Sequence, residues 1–101
     1  MLLNMFGIEF TESAYDDLYY LKAFEQGLIL DAIEAQLSAE PASPTKNRKP
    51  LRPNELSEWQ LRVGKFRVFY DLDAEKNVVR IKAVGWKEHN ALFIRAKEFV
   101  L

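Results

Sequence analysis

Trp59-Gln-Leu-Arg-Val-Gly-Lys-Phe-Arg-Val-Phe-Tyr70 consists of two alternating apolar and polar runs separated only by Gly64-Lys65. A period of two sends successive side chains to opposite faces of a strand, and a two-residue loop opening on glycine joins two such strands antiparallel. The stretch reads as a tight hairpin at the centre of a sheet. With Gly64 and Lys65 in the loop, Val63 pairs with Phe66, Arg62 with Arg67, and Gln60 with Phe69. Two arginines then face each other, which costs up to about 1 kcal/mol against a neutral pair. Either an anion sits between them, or they splay into solvent or are neutralised by acids from elsewhere in the chain. The spacing leaves these alternatives open.

Working outward, Phe6, Ile8 and Phe10 alternate along Met5–Phe10, the pattern of a strand with one buried face. Thr11 or Ser13 then supplies a helix N-cap, and Ala14, Leu18 and Leu21 continue one helical face to about Phe24. Gln26-Gly27 reads as a break. A second helix carries Ile29, Ile33 and Leu37 in one stripe and ends before Pro41, so the short joint makes an antiparallel helix hairpin. Glu40 to Asn54 holds all four prolines and reads as an extended connection, bearing Lys46, Arg48, Lys49 and Arg52. After the central hairpin, Asp73–Asn77 forms a turn and Val78–Val84 a third strand of a meander, with Val79, Ile81 and Ala83 on one face and Arg80 and Lys82 on the other. Gly85 is expected to end it. The remainder divides between a helical turn over Asn90–Lys97 and an edge strand at Phe99–Leu101. The fold class is α+β: an N-terminal strand, an antiparallel helix hairpin, then an antiparallel β-meander sheet.

A chain of 101 residues fits one domain, spanning 1–101. No apolar run approaches the ~20 residues of a membrane span. Met1–Met5 lacks the basic start and long apolar core of a secretion signal, so a cytoplasmic location without membrane association is expected. Without cysteine there is neither a disulfide framework nor thiolate chemistry, and a lone histidine disfavours a zinc site; no metal and no cofactor are expected. Net charge is only −1, but it is unevenly spread. Residues 1–45 carry eight acids against Lys22, whereas residues 46–70 carry seven bases against Glu55 and Glu58. An acidic flank beside a basic face suits phosphate-bearing partners.

The element order, with Phe10-Thr-Glu-Ser-Ala14, Leu61-Arg-Val-Gly-Lys-Phe-Arg-Val-Phe-Tyr70 and Ala83-Val-Gly-Trp-Lys87, resembles the RelE/ParE superfamily of toxin-antitoxin toxins over nearly the whole chain. The resemblance implies a fold like that of the small microbial ribonucleases and a cognate antitoxin as partner. For a RelE-type toxin it implies cleavage of messenger RNA on the ribosome and inhibition of translation. The alternatives are a ParE-type, non-enzymatic inhibitor of DNA gyrase, or a degenerate, non-toxic interaction domain.

Cutting RNA through its 2′-hydroxyl needs a base, cations for the crowded phosphate and an acid for the leaving 5′-oxygen, with no metal required. Arg67 coincides with the superfamily's phosphate-contacting arginine, and Lys87 falls where it carries a second cation. His89 is the one side chain with an ordinary pKa near neutrality, and Glu58 is a candidate base beside Gln60 and Arg62. These four, Arg67, His89, Lys87 and Glu58, are the catalytic candidates. Arg62, Arg67, Lys65, Lys46, Arg48, Lys49 and Arg52, with Phe93 as a stacking group, are the substrate-binding candidates. Where ribosome-dependent members carry lysines on the first hairpin strand and a C-terminal tyrosine, this chain has Glu58 and Gln60, and Phe93.

Overall fold

The computed structural model describes residues 5–101, so most of the Met1–Met5 opening lies outside the described residues. The elements are β1 (Gly7–Phe10), α1 (Glu12–Tyr19), α2 (Ala23–Leu37), β2 (Arg48–Pro50), β3 (Trp59–Val63), β4 (Phe66–Asp73), β5 (Val78–Glu88), β6 (Ala91–Ile94) and β7 (Lys97–Phe99). The sheet runs β2-β3-β4-β5-β6-β7, antiparallel throughout, and β1 joins it parallel to β5. The central hairpin has the expected register, with Arg62 opposite Arg67 and Gln60 opposite Phe69. Gly64 turns it with φ 58°, a left-handed value that glycine adopts without a Cβ clash.

Thr11 is the helix cap, its Oγ1 accepting the Ala14 N–H at 3.1 Å. The helix break comes earlier than Gln26-Gly27. α1 stops at Tyr19, α2 starts at Ala23, and Gly27 lies inside α2. The reason is a cap: the Glu25 carboxylate accepts the Lys22 N–H at 3.1 Å and fixes the start of α2 four residues before the glycine becomes relevant. Ile29, Ile33 and Leu37 are buried as expected and meet Leu61, Val68, Tyr70, Val79, Ile81 and Val84 of the sheet, with Ala14 and Leu18 from α1. The Tyr70 hydroxyl donates to the Pro41 carbonyl at 2.7 Å, and burial raises its pKa above the ordinary value.

Three further expectations are corrected. The Pro-rich connection contains an edge strand, β2, because Arg62 N–H donates to the Asn47 carbonyl and Leu51 N–H to the Glu58 carbonyl. Pro50 is tolerated there because an edge strand needs no donor on its outer side. Gly85 does not end the third strand; β5 continues to Glu88. The Asn90–Lys97 region is no helix but the β6–β7 hairpin, entered through His89 and Asn90 at φ 52° and 67°, the paired left-handed values of a type I′ turn. In addition, Ala83 does not share a face with Val79 and Ile81. A bulge at Lys82, where Phe69 pairs with Ala83 and Tyr70 with Ile81, reverses the alternation. Val84 and Trp86 thereby join the helix-side core, and Ala83 joins Phe69, Leu92 and Ile94 in a smaller cluster on the opposite face.

The bulge marks a gap. One edge of β5 pairs with β4 from Val78 to Trp86, and the other pairs with β1 up to Ile81 and with β6 from Trp86 onward. Between these two neighbours, α1 and its cap supply the partners. Thr11 Oγ1 donates to the Lys82 carbonyl, and the Val84 N–H donates to Asp17 Oδ2 at 3.1 Å. Asp17 is 1% exposed and also accepts from Arg95 Nε at 2.9 Å, which ties the β6–β7 turn to the helix. Burial raises the Asp17 pKa above its ordinary value, opposed by the Val84 and Arg95 contacts.

Asp17→Ala strands a buried N–H and is expected to lower unfolding stability by about 2–4 kcal/mol in urea titration. Asp17→Asn, which keeps an acceptor, should lose less. Because the folded pKa is raised, stability contributed by protonating this carboxyl is fully present below its unfolded value and lost as pH rises through the folded pKa. Relative to Asp17→Asn, the parent should therefore gain stability as pH falls through that window. An alanine variant within about 0.5 kcal/mol of the parent would contradict the role.

Candidate functional site

Strand alternation places Gln60 and Arg62 of β3, Arg67 of β4 and Lys87 of β5 on the face of the sheet away from the helices. Arg62 pairs with Arg67, and Arg67 pairs with Gly85, two residues before Lys87. Lys46, Asn47 and Lys49 close the edge from the connection and β2, and these seven residues line a cleft of about 180 Å³. Five are cations and none is an acid. The ion pairs of the described residues join Lys65 to Glu25, Arg80 to Glu9, Lys82 to Asp71 and Arg95 to Asp17, so none involves a cleft cation. The acidic helices do not neutralise the facing arginines.

Arg67 is held for its position. Its Nη1 donates to the Gly64 carbonyl at 2.8 Å and to the Phe66 carbonyl at 2.9 Å, anchoring the guanidinium to the hairpin turn. Burial lowers its pKa from the ordinary value, and Arg62 lowers it further. Opposite it, Gly85 admits no side chain, because a Cβ would collide with the Phe93 carbonyl oxygen. That close approach of β6 to β5 is a local requirement for glycine. Lys87 follows directly, its N–H donating to the Lys65 carbonyl at 2.8 Å.

The other sequence-derived candidates lie elsewhere. Arg48 is 8% exposed and donates to the Gln36 and Ser43 carbonyls and to Gln36 Oε1, so its guanidinium straps the connection to α2 and is not offered to a substrate. Lys65 pairs with Glu25 and lies over the Phe66 ring. Arg52 borders an adjoining groove that shares Lys49, Gln60 and Lys87. Phe93 pairs with Trp86 and stacks on it at 5.8 Å, which puts it on the helix side of the sheet, where Tyr20 also stacks on the indole. Glu58 contacts the Leu72 N–H and lines a different groove with Asp71 and Lys82. His89 sits exposed in the β5–β6 turn and does not line the cleft.

Residues 8–90 match the family model described as ParE toxin of type II toxin-antitoxin system, parDE. The chain belongs to the RelE/ParE superfamily of type II toxins. The toxin's fold is also similar to a chain of the toxin-antitoxin complex RelBE2 from Mycobacterium tuberculosis, with TM-score 0.73 and 26% identity over 86% of this chain and 95% of that one. A second likeness is to the RelE-RelB complex of the archaeon Pyrococcus horikoshii OT3, with TM-score 0.62 and 18% identity over 84% and 98% of the two chains, which shows the fold alone. No curated protein sequence gives a significant match.

Sequence reasoning missed two residues. Asp17 lies in a helix beside Asp16, and nothing local signals that β5 needs an acceptor 67 positions later. Asn47 carries no signal within the connection, although its carbonyl accepts the Arg62 N–H and it lines the cleft.

Clustered unpaired cations bind multivalent anions, and binding to the folded state alone raises stability by RT ln(1 + [L]/Kd). Inorganic phosphate at about five times its Kd should add about 1 kcal/mol, which is roughly 4–8 °C in Tm for a chain of this size, at constant ionic strength. Arg67→Ala should lose most of that rise. An equal rise in both proteins would show that phosphate acts elsewhere.

Proposed function

We propose that this toxin is of the RelE type: a metal-independent endoribonuclease that cuts messenger RNA on the ribosome, inhibits translation in the cytoplasm and is restrained by a cognate antitoxin. The observation that carries the reading is the cleft itself, five cations free of ion pairs around Arg62 and Arg67, with no acid in its lining. In 2′-hydroxyl attack the new O2′–P bond forms as the P–O5′ bond breaks, and negative charge accumulates on the non-bridging phosphate oxygens. Donors fixed before the reaction stabilise that charge most effectively, and Arg67 is pinned by two turn carbonyls. Lys87 and Arg62 flank it, while Lys46 and Lys49 hold the adjoining backbone. Glu58 and His89 stand outside the cleft, so the proton leaving O2′ and the proton reaching O5′ pass through water, and rate comes from positioning and charge.

The antitoxin partner draws support from the toxin-antitoxin complexes named above. Exposed apolar side chains on the helices, Tyr15, Tyr19, Phe24 and Leu28, also suit a partner surface. A ParE-type reading, inhibition of DNA gyrase by binding alone, is favoured by one observation: no carboxylate, imidazole or phenol lines the cleft.

Ribosome-programmed cleavage of one transcript separates these readings. Arg67→Ala should reduce cleavage by about 10²-fold or more, in the range of a lost oxyanion donor. His89→Ala should stay within about threefold of the parent. A 10²- to 10⁴-fold fall for His89→Ala would instead make it a general acid or base. A parent that cuts no RNA but blocks gyrase supercoiling would overturn the nuclease reading.

A further inference from the structure

Gln60 differs chemically from the cations around it. It is 8% exposed, and among the described residues no side-chain hydrogen bond involves its amide. Burying an amide without a partner is costly, and such groups in folded proteins are normally paired. Yet no side-chain nitrogen or oxygen among the described residues is both sealed from solvent and unpaired. The Gln60 amide therefore opens into the space it lines, the cation cleft with Arg62 and Arg67 and the adjoining groove that shares Lys49 and Lys87 with it. The backbone fixes its place, paired with Lys49 on one side and Phe69 on the other.

Every charged group in the cleft is a donor only. A phosphate oxygen needs nothing else. Two amides in the lining, Asn47 and Gln60, add acceptors and N–H donors, and Gln60 is the buried one of the two. A ligand group that exploits it must both give and take a hydrogen bond, must be neutral, and must lie within a few ångströms of a phosphate. The ribose 2′-hydroxyl meets all three conditions, and deoxyribose offers nothing there. Size agrees. The cleft, about 180 Å³ and open to solvent, has room for a phosphate and the sugar atoms beside it.

We propose that Gln60 is the residue by which the cleft distinguishes RNA from DNA, its amide holding the 2′-hydroxyl of the nucleotide whose phosphate Arg62 and Arg67 bind. The proposal rests on the RNA-directed reading above. It also accounts for a buried, uncharged residue in a cationic cleft, where a further lysine would bind phosphate more strongly but would provide no acceptor.

The test is fluorescence anisotropy at fixed salt, using a labelled single-stranded hexanucleotide as RNA, as DNA of the same sequence with deoxyuridine for uridine, and as 2′-O-methyl RNA. The full chain is compared with Gln60→Met and Gln60→Leu, two variants so that a folding failure in one does not end the experiment, with thermal unfolding as the check on each. RNA integrity is followed on gels. The parent should favour RNA over DNA by about five- to tenfold, the range of one net hydrogen bond, and should treat 2′-O-methyl RNA like DNA because the O–H donor is gone. Both variants should lose the preference through weaker RNA binding, with DNA affinity and the salt slope unchanged, since the phosphate contacts remain. A parent that binds RNA and DNA equally, or variants that weaken both strands alike, would overturn the role of Gln60 while leaving the RNA-directed reading standing. A parent that binds neither strand would overturn both.

Discussion

The structure depends on how the two edges of β5 are satisfied. One edge is covered by β4, the other by β1 and then β6, and the four residues between those neighbours would leave polar backbone groups buried without partners. Unpaired backbone groups of that kind cost as much as a lost hydrogen bond each, so the gap must be filled by side chains. Thr11 and Asp17 fill it. The same helix that packs Ala14 and Leu18 onto the sheet thus completes the sheet's hydrogen bonding, and Arg95 extends the tie to the last hairpin. Shape, core and C-terminal strands are coupled through one carboxylate.

With β5 secured, its far half carries Gly85 and Lys87 to the side of the hairpin arginines, and the bulge at Lys82 decides which face each residue takes. The helix face is apolar and closed. The opposite face is divided between a small cluster around Phe69 and the cation cleft. Facing arginines oppose stability, and the four ion pairs of the described residues all lie elsewhere. A like-charge pair retained at the centre of a sheet is consistent with a ligand that supplies the missing negative charge.

Local features were the legible ones. Alternation and Gly64 specified the hairpin to the residue, including the arginine pair, and the Ile29, Ile33 and Leu37 stripe specified the buried face of α2. Features set by distant partners were not legible. Gly27 looked like a helix break because glycine weakens a helix, but the Glu25 cap at Lys22 decided the boundary. Ala83 followed the period of two until an inserted residue at Lys82 shifted it, and only pairing with β4 reveals the insertion. Among the site residues, Arg62, Arg67, Lys46, Lys49 and Lys87 line one cleft. Arg48 does not, because a cation near a helix C-terminus finds carbonyls before it finds solvent, and Phe93 does not, because hairpin pairing with Trp86 sends it to the other face.

The central claim is that the cation cleft holds the backbone of single-stranded RNA, and backbone amide chemical shifts during titration with a short single-stranded RNA test it most directly. The account predicts that the largest changes cluster at residues 46–49, 60–62, 67 and 85–87 and shrink as salt rises. Changes centred on α1 and α2, or none at saturating RNA, would contradict it.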